Sequence, residues 1–200
     1  MNAEIPQVSS LVILFAAILT NNILLTNFLG MCSFIAVSNT VQTAVGLGIA
    51  VTFVSTMASL LNWPLYHLVL VPLNLKYLEL IVFIVVIAAF VQLVEMIVER
   101  VSETLYINLG IFLPLITVNC AILGICIFMV IRNYTFLQSV AYGLGSGLGW
   151  FLAVVAMAGI RQKLRFSPIP EALQGPGITI IVAGLMSMAF LGFAGMVSIQ

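Results

Sequence analysis

The chain has 200 residues, 63% of them hydrophobic and 6% charged, with a mean hydropathy of +1.28. Soluble domains carry charge on about a quarter of their residues, so this composition excludes one and leaves a polytopic integral membrane protein whose solvent is the lipid bilayer. Six basic residues balance six acidic ones, all Glu, so there is no basic surface to hold nucleic acid.

The opening "MNAEIPQVSS" lacks a basic n-region, so the first apolar run is expected to stay in the mature chain. At about 20 apolar residues per crossing, six spans are predicted in an all-α fold: 9–37, 41–61, 78–98, 107–131, 136–160 and 177–198. They form a single membrane domain over 1–200. The first span is too long. As a continuous helix it would reach roughly 43 Å against a ~30 Å hydrocarbon core, so a break is predicted, with Asn21-Asn22, Asn27 and Gly30 as its weak points. Segment 62–77, with two prolines, reads as a non-spanning connection whose Trp63, Tyr66 and Tyr77 suit the membrane–water interface. His67, the only histidine, is read there as structural.

The third span carries Glu95 in "FVQLVEMIVER", one turn before Glu99. An ionised carboxylate at mid-helix costs ~2.5–3.5 kcal/mol on insertion scales. Glu95 is therefore either a snorkelling boundary charge or a ligand for a cation or proton on a conduction path. In the fourth span Pro114 removes the bond to the carbonyl of Gly110, so a kink is predicted. The fifth contains "YGLGSGLGW", which lacks the Lys-Ser/Thr ending of a phosphate loop. Its pairs Gly143/Gly147 and Gly145/Gly149 suit close helix packing, as do Gly46/Ala50 and Ala44/Gly48. Lys76 and Arg132 share a side with the termini, while Arg100, Arg161, Lys163 and Arg165 lie on the other. That bias places both termini outside the cytoplasm.

"LGMCSFIAVSNT" (29–40) resembles "LGICIFMVIRNY" (123–134), which suggests two three-span halves, about 9–98 and 107–198. Three is odd, so the halves are inverted, and sites in such folds lie near the midplane on interrupted helices. Cys32 and Cys120 both fall on the two interrupted spans, helices 1 and 4. Asn27 and Gly30 permit the first break, Pro114 and Asn119 the second. Cys126 lies six residues past Cys120, about 120° away in helical phase, so one metal does not readily reach both. Read literally, however, the repeat pairs Cys32 with Cys126. Two thiolates are too few for a four-thiolate site, so a second chain is needed. No Ser/His/Asp set, HExxH or Walker sequence is present, nor any nicotinamide or flavin fingerprint.

"FLGMCSFIAVS", "QLVEM", "LGIFLPLITVNCAILG", "YGLGSGLGW" and "GITIIVAGLMSMAF" resemble the NqrD/NqrE–RnfA/RnfE family over almost the whole chain. These are membrane subunits of the sodium-translocating NADH:quinone oxidoreductase and of the Rnf ferredoxin:NAD oxidoreductase. Most motifs look like the E-type subunit of Nqr, while "VPLNLKYLELIVFIVVIA" is closer to the A-type subunit of Rnf. The resemblance implies a chain in the bacterial inner membrane that pairs with a homologous D-type (in Rnf, E-type) subunit of opposite topology. Flavin- and iron–sulfur-bearing subunits complete the complex. Each of the two chains would give two cysteines to a shared intramembrane [2Fe–2S] cluster, passing electrons across the membrane. Here Cys32 in "LGMC" and Cys120 in "TVNC" match those positions and Cys126 matches none. Glu95 matches an acidic position associated with sodium uptake, and the family's "GIREK" reads "GIRQK", with Gln162. The rival expectations are a secondary ion transporter and a purely structural scaffold.

Overall fold

The computed structural model describes residues 9–101, 113–168, 170 and 174–192, and among these every regular element is helical. In chain order the α-helices are α1 (Ser10–Ile18), α2 (Met31–Val37), α3 (Val41–Leu65), α4 (Glu79–Val101), α5 (Leu113–Thr117), α6 (Cys120–Ile131), α7 (Phe136–Leu164) and α8 (Pro176–Leu191). Four stretches are long and apolar enough to cross a membrane: Val41–Leu70, Lys76–Ile97, Pro114–Ile131 and Phe136–Leu164. Pro176–Leu191 is shorter.

Local chemistry sets the helix starts. Thr40 caps α3 by accepting from the Thr43 N–H. Thr135 and Gln138 form a capping box at α7, where the Thr135 N–H donates to Gln138 Oε1 at 3.0 Å. Pro176 opens α8, where its missing N–H and fixed φ cost nothing.

Two spans differ from their predicted extent. Residues 62–70 are not a connection: α3 runs on through Pro64 to Leu65 and continues as a π-helical turn over Tyr66–Leu70. Proline inside a membrane helix is tolerated where neighbours and local re-registering satisfy the freed groups. Here the Tyr66 N–H is shared between the carbonyls of Asn62 and Trp63. Trp63 pins this end, its Nε1 donating to the Tyr134 carbonyl at 2.8 Å while its ring stacks on His67. The fifth span extends to Leu164. Residues 107–112 and 193–198, and the Gly110 carbonyl expected to lose its bond at Pro114, lie outside the described residues. Within them the fourth span breaks after Thr117, and Asn119 caps the helix that restarts at Cys120.

The centre is a seam of small residues on α7. Gly143 and Gly147 meet Ser55, Ser59 and Thr52 of α3. Gly145 and Gly149 face the other way, onto the backbone of Leu14 and Ala17 in α1. The Ser55 hydroxyl donates to the Gly143 carbonyl at 3.1 Å. Close backbone approach of this kind gives membrane helices their packing energy, since lipid supplies no hydrophobic drive between them. The order of these contacts sets direction: α1 runs parallel to α7 and α3 antiparallel to both. In α3, Gly48 meets the Phe151 ring, while Gly46 has open space beside it.

Candidate functional site

Between α1 and α2 the chain is unwound from residue 19 to 30. Backbone polar groups at membrane depth must find partners within the protein. Asn22, fully buried, supplies four: its Nδ2 donates to the carbonyls of Ile18 (3.2 Å) and Gly149 (2.8 Å), and its Oδ1 accepts from Leu24 (3.1 Å) and Leu25 (3.4 Å). Ser187 of α8 donates to the Leu25 carbonyl at 2.6 Å. Asn27 is exposed and makes no hydrogen bond among the described residues. Phe28 holds φ +56° and Gly30 φ +83°, both left-handed. Gly30 then begins α2, which carries Cys32 in its first turn.

Two half-helices meet head to head at this point. The Gly30 N–H donates to Cys120 Sγ at 2.9 Å, tying the start of α2 to the first residue of α6. From there α2 runs toward the C-terminal end of α7. Arg161 binds the Ile35 carbonyl (3.0 Å), Ser38 (2.7 Å) and Asn39 (2.6 Å) there, a cation on the carbonyl end of a helix. α6 runs the opposite way, ending beside Tyr134 and Trp63. Trp150, midway along α7, packs against the junction, so the junction sits at mid-depth of the bundle.

A side chain at Gly30 would have no room. A Cβ there would lie 2.8 Å from Trp150 Nε1, 3.0 Å from Asn119 Oδ1 and 3.0 Å from Ala121 Cβ. Cys32 and Cys120 are both exposed on the surface of this chain. Cys126 is fully buried inside α6, where Asn62 Nδ2 donates to its sulfur at 3.3 Å. The cysteine that the literal repeat pairs with Cys32 therefore points into the core. No group of three or more His, Cys, Asp or Glu that could hold a metal occurs among the described residues. Two exposed thiols at one junction suit half of a four-thiolate site, and the backbone N–H already given to one sulfur suits an anionic ligand.

Glu95 lies elsewhere. Phe83, Ile87 and Val91 form the fully buried stripe of α4, and Glu95 is the next position on that four-residue spacing. Half-buried, it has no hydrogen-bond or ion-pair partner among the described residues. Phe83, near the start of α4, meets the Tyr66 ring, so Glu95 lies toward the opposite end of the helix. Glu99, Arg100 and Gln162 are exposed. Two contributors to the junction carry weaker sequence signals. Asn22 is one of several polar residues in the run, and Trp150 is an aromatic placed at mid-span when tryptophan favours interfaces.

A family model described as "Rnf-Nqr subunit, membrane protein" matches residues 10–197. The chain is 51% identical over 187 residues to the A-type subunit of the ion-translocating oxidoreductase complex of Syntrophotalea carbinolica, covering 94% of this chain and 97% of that one. It is 53% identical over 189 residues to the E-type subunit of the Na(+)-translocating NADH-quinone reductase of Aeromonas hydrophila, covering 92% and 96%. To the A-type subunit of the proton-translocating ferredoxin:NAD(+) oxidoreductase complex of Clostridium ljungdahlii it is 47% identical over 191 residues, covering 96% and 99%.

Proposed function

The chain belongs to the Rnf-Nqr family of membrane subunits, and from that premise we propose that it is an electron-transfer subunit of an ion-translocating oxidoreductase, carrying half of an intramembrane [2Fe–2S] site. Cys32 and Cys120 are its ligands, and a homologous subunit of opposite topology supplies the other two. The observation that carries this reading is the Gly30 N–H to Cys120 Sγ bond, which gathers the two exposed cysteines' helix starts at mid-depth. A bound cluster supplies one-electron storage halfway across a ~30 Å barrier, dividing one long transfer into two short ones. The chain's own part is to hold the two thiolates at an outward face, with the N-terminus of α6 behind Cys120 favouring negative charge. Purified intact complex should contain iron and acid-labile sulfide beyond what its other iron–sulfur subunits hold. Substrate-coupled ion uptake by this chain alone, with no such excess, would favour a secondary transporter.

The opposed directions of α2 and α6, each starting at a cysteine-bearing junction and each followed by a long capped helix, support six crossings in one domain, arranged as two inverted halves. The Nqr-like reading, with NADH and a quinone at the ends of the path, is preferred to the Rnf-like one on the motif "GSGLGW" and the 53% identity to an E-type Nqr subunit. The basic cluster at Arg161, Lys163 and Arg165 is assigned to the cytoplasmic side of a bacterial inner membrane, which puts both termini outside. A reporter fused after Gln200 should accordingly be active only outside the cytoplasm, and cytoplasmic activity would reverse the direction of this chain along the electron path.

Glu95 is assigned to the ion path, with sodium as the cation. A half-buried carboxylate on a membrane-spanning helix marks such paths. Glu95→Gln keeps the shape and removes the charge. It should raise the sodium concentration for half-maximal turnover on the order of tenfold, equivalent to about 1.4 kcal/mol, with cluster content unchanged. An unaltered sodium response would make Glu95 a boundary charge.

A further inference from the structure

Two donors at the junction have no acceptor. Trp150 is completely buried, and its indole Nε1 makes no hydrogen bond; the same holds for Nδ2 of buried Asn119. The Asn119 amide is fixed in orientation because its Oδ1 caps α6 through the Ala121 N–H at 3.1 Å. Its NH2 is therefore the end left over. An unpaired buried donor costs about 1–3 kcal/mol, and native folds keep few of them without a purpose. These two flank the same residue: Gly30 meets both the indole nitrogen and the Asn119 side chain, and its own N–H already donates to Cys120 Sγ. The unpaired indole nitrogen thus lies against the residue whose own N–H donates to sulfur, while Asn119, the neighbour of Cys120, turns its oxygen to Gly30 and leaves its amide nitrogen unbonded.

We infer that Trp150 and Asn119 are redox-tuning residues, giving N–H hydrogen bonds to the sulfurs around Cys120 and so raising the reduction potential of the bound cluster. This rests on the reading of Cys32 and Cys120 as cluster ligands. Hydrogen bonds to cluster and ligand sulfurs set iron–sulfur potentials together with charge and exposure. Reduction adds one electron to an already anionic centre, so donors stabilise the reduced form more than the oxidised one. Neither residue touches iron; each acts through sulfur, as a positioning residue does.

The test is a potentiometric titration of the intact complex, followed by electron paramagnetic resonance of the reduced cluster. Trp150→Phe removes the N–H, and Asn119→Ser removes the amide donor while keeping an oxygen to cap α6. Each should retain the cluster and shift the oxidised-to-reduced ratio at fixed potential about tenfold toward oxidised, about 59 mV lower for one electron. Wild-type complex with 15N-labelled indole should show a nitrogen coupling to the reduced cluster that Trp150→Phe lacks, a readout independent of the potential. Unchanged potentials in both variants, or no coupling from labelled tryptophan, would overturn the inference while leaving the cluster itself in place. If wild-type complex carries no intramembrane cluster, the ligand assignment fails instead.

Discussion

Replacing Cys32 or Cys120 by Ser is expected to abolish the intramembrane [2Fe–2S] signal of the assembled complex, while Cys126→Ser leaves it intact. A serine alkoxide is a poor substitute for thiolate at iron, and an intramembrane thiolate is tolerable when a cation offsets its charge. Both Cys32 and Cys120 lie on the outer face of the chain, at the starts of α2 and α6. Cys126 has the opposite environment. It is closed off within the bundle, and its sulfur accepts from the Asn62 amide, a role a serine oxygen can take over. Each variant is to be purified as whole complex and its spectrum normalised to protein. Loss of the signal in Cys126→Ser with retention in Cys120→Ser would show that the literal repeat pairing names the ligands. Retention in all three would remove electron transfer from this chain's role.

How far this site can be read in advance depends on range. Lengths of apolar sequence locate four of the predicted crossings because the hydrocarbon thickness fixes them, and Gly30 stands out as a break in such a run. Local reading misleads at Pro64, where a helix terminator in water is only a change of register in the membrane, so α3 continues through it. It is also blind to pairings across the chain. Nothing near Asn22 announces that its amide reaches Gly149, 127 residues away. Trp150 is similarly opaque: its position in the span is visible, but its neighbour Gly30 belongs to another segment altogether. The glycine pattern of α7 occupies the middle ground. Its spacing announces close packing, and only the structure assigns alternate glycines to α3 and α1.

That long-range amide is the basis of the other large effect. Asn22→Leu is expected to prevent recovery of a stable complex, whereas Asn27→Ala, in the same unwound segment, should behave as wild type. The two asparagines look alike in the sequence and differ in what they hold. Without Asn22 the N–H groups of Leu24 and Leu25 lose their acceptor, and no backbone carbonyl replaces it. At about 1–3 kcal/mol per buried orphan, two of them take a large part of a typical 5–15 kcal/mol margin. The tether from the unwound segment to α7 goes as well, and with it the placement of Gly30 against Cys120. Asn27 is exposed and holds no such bond. Asn22→Asp separates the two contributions: it keeps both acceptor bonds and loses the donors to Ile18 and Gly149, so its complex should assemble but melt at a lower temperature. Yield of intact complex on size-exclusion in detergent, with its thermal aggregation midpoint, reads all three variants. An Asn22→Leu complex that assembles and melts like wild type would mean that the unwound segment is held by other contacts, Ser187 to Leu25 foremost among them.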